Sequence, residues 1–198
     1  MRSTIIIVLA LAAATPAAHA DPFVEIAGGV MFPVSNSDWT NAVDVSPKFA
    51  ARGGFDRGEL EGLLSLDWTP VQAKTDPVFT DLRYNRFRIL ASGQLRHLFA
   101  PNIRLSVRTG IGIDIAHAGY TVNIPLVGET SGSDTDTGFA FEIATGIWYS
   151  LGGKTEVGFE LALPISTHSQ DANAQNGQIG FHYTAVDIDL LLTVRFGT

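Results

Sequence analysis

Apolar and polar residues alternate one by one along most of this chain, a period of two that belongs to strands and not to helices. The clearest run is Ile103 to Ile115. There Ile103, Leu105, Val107, Thr109, Ile111, Ile113 and Ile115 share one face, and Arg104, Ser106, Arg108, Gly110, Gly112 and Asp114 share the other. Three more segments repeat the split. Phe139, Phe141, Ile143, Ile147, Tyr149 and Leu151 oppose Ala140, Glu142, Ala144 and Gly146, with Trp148 as an exception on the polar face. Val157, Phe159, Leu161, Leu163 and Ile165 oppose Glu156, Gly158, Glu160, Ala162 and Pro164. Near the end, Val186, Ile188, Leu190, Leu192, Val194 and Phe196 oppose Asp187, Asp189, Leu191, Thr193 and Arg195. Weaker alternation marks strands at 22–34, 45–56, 60–70 and 83–99, which brings the total to eight.

The connections alternate as regularly as the residues. Asp56-Arg57-Gly58-Glu59, Ala100-Pro101-Asn102 and Gly152-Gly153-Lys154 read as tight turns, whereas 35–44, 71–82, 117–137 and 167–183 are long and rich in Ser, Asn, Asp, Gly and Thr. Short turns on one side and long loops on the other are the plan of outer-membrane barrels. The predicted fold is therefore all-β: an eight-stranded antiparallel up-and-down transmembrane β-barrel. An even strand number returns both termini to one side, expected to be the periplasm.

Alternation alone leaves open which face is inside, and a soluble lipocalin-type barrel with its apolar face inward is the competing architecture. Size and charge favour the membrane form. Eight strands enclose a lumen just wide enough for side chains, and the polar face mixes small residues with charges. Arg86, Arg88, Arg96, Arg104 and Arg108 lie on the fourth and fifth segments, whereas Glu25, Glu156, Glu160, Asp187 and Asp189 lie on the first, seventh and eighth. Facing lipid at the bilayer midplane, each Arg would cost about 2–4 kcal/mol; facing inward, the two groups can pair. Arg52, Asp67, Arg108, Glu142, Glu160 and Asp189 lie near the centres of their strands and are predicted to form a lumenal salt-bridge cluster, either a structural plug or a gate. Aromatics supply a third indication, since membrane barrels carry girdles at both interfaces. Trp68, Tyr84, Phe87, Phe139 and Phe141 fall near the long-loop ends, and Phe23, Phe55, Phe99, Tyr149 and Phe196 near the short-turn ends.

The first twenty residues break the pattern. Arg2, an apolar run from Ile5 to Ala14, Pro16 and the triplet Ala18-His19-Ala20 make a secretory leader, too short for a spanning helix. Residues 1–20 are thus expected to be a signal peptide and 21–198 a single barrel domain. Beyond the leader no stretch reaches helix-spanning length, yet 45% of residues are apolar and mean hydropathy is +0.18. The chain has no cysteine, so no disulfide or thiolate chemistry enters. A net charge of −7 argues against nucleic acid as a partner.

With the leader, strand count and loop alternation, the chain resembles the small eight-stranded outer-membrane barrels of the OmpA-transmembrane-domain, OmpX and opacity-protein type. The last strand, Asp187 to Phe196, resembles the signal read by the barrel-assembly machinery, with Val194 and Phe196 on alternate apolar positions. Gly197-Thr198 follow, where the family usually ends on the aromatic. The resemblance implies outer-membrane lipids and the assembly machinery as partners, and a role as structural anchor, adhesin, narrow pore or, rarely, lipid A-modifying enzyme. The reading adopted is a structural or surface-interaction role through long extracellular loops, with an unidentified external partner. A narrow pore for ions or small solutes is the alternative.

Candidate chemistry is sparse. In the barrel deacylases the catalytic His and Ser are separated by one residue and followed by Asn, and His168-Ser169-Gln170, with His182 and Asp171 nearby, departs from that pattern. No enzymatic activity and no cofactor are expected. His97, His117, His168 and His182 lack metal-ligand spacing, and Glu129, Asp134 and Asp136 lack the ordered spacing of a calcium loop, so no metal site is expected.

Overall fold

The computed structural model describes residues 20–34, 40, 43–72, 74, 79–124, 128–170 and 181–197. The predicted leader, Ala20 apart, and Asp171 lie outside them. Eight strands follow in order: β1 Asp21–Pro33, β2 Ser46–Arg57, β3 Leu60–Val71, β4 Phe79–Ala100, β5 Ile103–Ile124, β6 Gly128–Gly152, β7 Thr155–Gln170 and β8 Phe181–Gly197. Each pairs antiparallel with the next, and β1 closes the ring against β8 through registers such as Glu25↔Arg195. Closure leaves no free edge around the wall, which is the condition for a sheet to lie in hydrocarbon. Among the described residues no helix is long and apolar enough to cross a membrane.

The apolar parity points outward. Ile26, Leu64, Val107, Ile143, Phe159 and Leu192 are exposed, whereas the alternate residues Glu25, Ser65, Arg108, Glu142, Glu160 and Thr193 are buried. At the strand centres every outward position holds an apolar residue, Gly, Ala or Thr. This is the reverse of a soluble barrel, and it excludes the lipocalin-type alternative. Turn chemistry fixes the short-turn rim: Gly152 and Gly153 take φ of 100° and 62°, a left-handed conformation that glycine adopts without steric cost. Both described ends of the chain lie at this rim, where Asp21 pairs with Asp56 and Gly197 with Phe23.

At the other end the strands outrun the alternation. Much of 117–137, and the ends of 71–82 and 167–183, predicted as loop, is strand: β5 continues to Ile124 and turns into β6 at Gly128, paired from His117↔Thr135 to Ile124↔Gly128. A tilted strand needs about 9–11 residues to cross the hydrocarbon, so β6, with 25 residues, projects far beyond it. On β6 above the wall, from 128 to 138, Ser, Thr, Asp and Gly fill both parities and no apolar period announces the strand, while on β5 Ala118, Tyr120, Val122 and Ile124 take the parity opposite to Ile111 and Ile113, so the period breaks step there.

Two of the predicted girdle aromatics point inward. Phe23 shares the parity of Glu25 and is buried beneath the Arg195 guanidinium, which lies 3.6 Å from its ring centre. Tyr84 shares the parity of Arg86 and packs on Met31, Val43, Val71 and Ala185. The others face outward, and Phe49, Trp68 and Phe87 form a stacked row across β2, β3 and β4.

Candidate functional site

The lumen is a stack of ion pairs, and its waist is built around Glu160. Period-two alternation on β2, β5, β6 and β7 aims Arg52, Arg108, Glu142 and Glu160 inward, all essentially inaccessible. Arg52 Nη1 donates to Glu160 Oε1 at 2.7 Å and to Glu25 Oε2 at 3.3 Å. Arg108 donates from Nη1 to Glu160 Oε2 at 2.6 Å and from Nη2 to Glu142 Oε1 at 2.9 Å. Thr193 adds a hydroxyl donor to Glu160 Oε1 at 2.6 Å. Four of the six residues singled out from the sequence thus meet here.

Asp67 and Asp189 belong to the next level toward the long loops. Lys48 bridges them, 2.8 Å from Asp67 Oδ2 and in close contact with Asp189 Oδ2. Arg88 Nη2 lies 3.0 Å from Asp189 Oδ2 and 3.6 Å from Asp67 Oδ2. Lys48 escaped the sequence reading, although it sits two inward positions from Arg52 on the same strand and so shares its parity. At the long-loop mouth, Arg86 bridges Asp114, in close contact, and Asp187, at 2.8 Å, beside the buried His168.

Toward the short-turn rim a fourth group closes the lumen. Arg195 grips Glu61 through both terminal nitrogens at 2.8 Å, the fork geometry that makes arginine–carboxylate pairs strong. Arg96 Nη2 and Arg104 Nη1 converge on Glu156 at 2.6 and 2.5 Å. Trp148, the parity exception, fills the space above them: its Nε1 donates to Ser106 Oγ at 2.9 Å and the Arg96 guanidinium lies 4.9 Å from its ring. Gly158 makes room, since a Cβ there would sit 2.5 Å from Trp148 Cε3. Below this layer lies an open recess of about 200 Å³ lined by Phe23, Asp56, Arg96, Glu156 and Arg195 among others.

Electrostatically this lumen is dense but nearly balanced. Among the described residues seven buried cations (Lys48, Arg52, Arg86, Arg88, Arg96, Arg108, Arg195) face nine buried carboxylates (Glu25, Glu61, Asp67, Asp114, Glu142, Glu156, Glu160, Asp187, Asp189). A charge left alone in such surroundings costs several kcal/mol, so the groups hold one another in place. Among the described residues no three His, Asp or Glu side chains converge as a metal site. Val194 and Phe196 lie on the outer face of β8, Phe196 opposite Val24 and Thr155.

No family model and no curated protein sequence matches the chain. Solved structures do. Neisserial surface protein A superposes with a TM-score of 0.61 at 12% identity over 88% of this chain and 96% of that one. A major outer membrane protein from Thermus thermophilus gives 0.59 at 10% identity, over 91% and 100%. Ail, the attachment invasion locus protein of Yersinia pestis, gives 0.55 at 10% identity, over 90% and 99%. The fold is that of the small outer-membrane barrels. What the likeness covers is the wall, eight antiparallel strands closed into one ring. Lumenal pairs and projecting hairpins are specified by the individual sequence, and function is read from them.

Proposed function

We propose that the chain is an outer-membrane barrel with a sealed lumen and periplasmic termini, acting at the cell surface through its projecting β5–β6 hairpin and neighbouring loops. The observation that carries this reading is the ion-pair stack, to which all eight strands contribute and which crosses the lumen at four levels. A ligand or ion passing through would have to part Arg52 and Arg108 from Glu160. The projecting hairpin supports the other half. Among the described residues β6 from Gly128 to Gly138 pairs with β5 alone, which leaves a ribbon, polar along its β6 strand, standing above the wall. Its implied contacts are outer-membrane lipids along the apolar belt, the barrel-assembly machinery at Val194 and Phe196, and an external partner at the hairpin; no catalytic step is assigned.

One observation favours the narrow-pore alternative. Asp67 Oδ1, Glu142 Oε2 and Asp189 Oδ1 are buried without a protein hydrogen-bond partner, and such atoms cost about 1–3 kcal/mol each unless water satisfies them. A hydrated lumen is a step toward a conducting one. Purified protein in planar lipid bilayers separates the readings: the sealed barrel gives no discrete conductance steps, and stable single-channel steps would replace the surface role with a pore.

A further inference from the structure

Where β6 leaves the wall, the sheet forks. Pairing between β6 and β7 ends at Phe139↔Thr167, while β6 runs on against β5 to Gly128 without a register shift. β5 carries β4 on its other side, up to Phe79↔Val122. The outer edge of β6 from Gly128 to Gly138 is thus the rim of this projecting sheet, and no strand among the described residues pairs with it.

Parity decides which backbone groups face that edge. Ser150, at an even position of β6, donates its amide to Asn102 O at 2.9 Å, on the β5 side. In an antiparallel strand the backbone groups of successive residues serve opposite neighbours, so even positions of β6 serve β5 and odd positions face away from it. Thr135 agrees, since its amide donates to the carboxylate of its own neighbour Asp134 at 2.8 Å. Ser131, Ser133 and Thr137 share its parity and are exposed.

An open edge is a template for another strand, and folded proteins blunt it with proline, a bulge or lysine. From 128 to 138 the chain has no Pro, Lys or Arg, and its register against β5 is unbroken. It carries charge of one sign, in Glu129, Asp134 and Asp136. A second copy pairing here would set three carboxylates against three, and like charges across a strand pair are destabilising. A strand bearing Lys or Arg turns the same carboxylates into attraction.

We propose that the outer edge of β6 between Gly128 and Gly138 takes up an extended, basic segment of an external protein as an added strand. The inference rests on the surface role of the β5–β6 hairpin and names how its partner is held. Main-chain hydrogen bonds to the odd positions supply the grip, as when an extended peptide joins a sheet edge, and the carboxylates select the charge of the segment.

The test uses the full barrel in lipid nanodiscs and three synthetic peptides of equal length: alternating Lys-Thr, alternating Glu-Thr, and alternating Lys-Pro, which keeps the charge while its prolines disrupt strand pairing. Amide hydrogen exchange is read residue by residue. In the protein alone the amides of Ser131, Ser133 and Thr137 should exchange about tenfold faster than those of Gly132, Asp134 and Asp136, the scale of one hydrogen bond. Saturating Lys-Thr peptide should slow the odd amides by about tenfold and leave the even ones unchanged; the other two peptides should slow neither. In Ser133→Pro, which removes an edge donor from the middle of the segment, the effect of Lys-Thr peptide should vanish. The peptide series needs no variant, so it decides the matter even if Ser133→Pro fails to fold. Odd amides already protected in the protein alone would overturn the proposal, because the chain would then cover its own edge. Equal protection by Lys-Pro peptide would overturn it too, reducing the binding to charge. A barrel silent in bilayers whose odd amides ignore the Lys-Thr peptide sinks the edge site and leaves the sealed surface barrel standing; conductance steps together with odd-amide protection do the reverse.

Discussion

Replacing Arg108 by leucine removes the cation that joins two waist carboxylates, and the two fare differently. Glu160 retains Arg52 at 2.7 Å and Thr193 at 2.6 Å, so for it the loss is close to one hydrogen bond, about 1–1.5 kcal/mol. Glu142 loses the N–H donors that reach its Oε1 at 2.9 and 3.3 Å, and no other cation stands within ion-pair distance among the described residues. It is left as a buried charge without a partner, which costs about 3–5 kcal/mol. The two losses overlap, so about 3–5 kcal/mol is the expected total. Removing the stranded charge as well, in Arg108→Leu with Glu142→Leu, should return stability to within about 1.5 kcal/mol of the parent, because an apolar pair of similar volume is close to neutral against a buried ion pair. Reversible urea unfolding in phospholipid vesicles, followed by tryptophan fluorescence, measures all three proteins. A single variant that loses less than about 1 kcal/mol, or a double variant no better than the single, would refute the reasoning. Either result would mean that the lumen solvates Glu142 without help from Arg108.

Further outcomes follow from the two faces of the wall. Leu161→Arg places a guanidinium on the lipid face near mid-strand and should cost about 2–4 kcal/mol by the same unfolding assay; no loss would mean that this face is not in hydrocarbon. Gly158→Val drives a side chain into Trp148, whose Cε3 stands 2.5 Å from the position of the new Cβ. Overpacking of this kind costs about 1–3 kcal/mol and should shift the Trp148 emission, and an unshifted spectrum would show that the ring has room to spare.

The wall was legible in the sequence because a barrel in lipid sorts residues by parity more strictly than a soluble sheet does. Every outward position at a strand centre is barred to charge, so runs such as Ile103 to Ile115 carry the strand, its face and its neighbour's face together. Legibility ended where that constraint ends. In upper β6 Ser131, Asp134 and Thr135 carry no period, and in upper β5 the apolar set moves to Tyr120, Val122 and Ile124, out of step with Ile111 and Ile113. Phe23 and Tyr84 were placed by their distance along the chain, whereas their parity, odd with Glu25 and even with Arg86, already put them inside.

The lumen was half legible, for a geometric reason. Parity says that Arg52, Asp67, Arg108, Glu142, Glu160 and Asp189 point inward, but which of them meet depends on strand tilt and stagger around the ring. Tilt separates Asp67 and Asp189 from the waist and hands them to Lys48 and Arg88. His168 was noticed beside Ser169 as a possible catalytic pair; its contacts with Asp136 and Asp114 come from strands 32 and 54 residues away and have no local signature.

The central claim is that a closed barrel sits in the outer membrane with its apolar face to lipid, and gel migration of membrane-extracted protein, boiled against unboiled, tests it most directly. Closed membrane barrels keep their compact form in detergent until heated. The account predicts that protein from an outer-membrane fraction runs faster unboiled than boiled. Protein found freely soluble in periplasmic extract, with the same mobility before and after boiling, would contradict it.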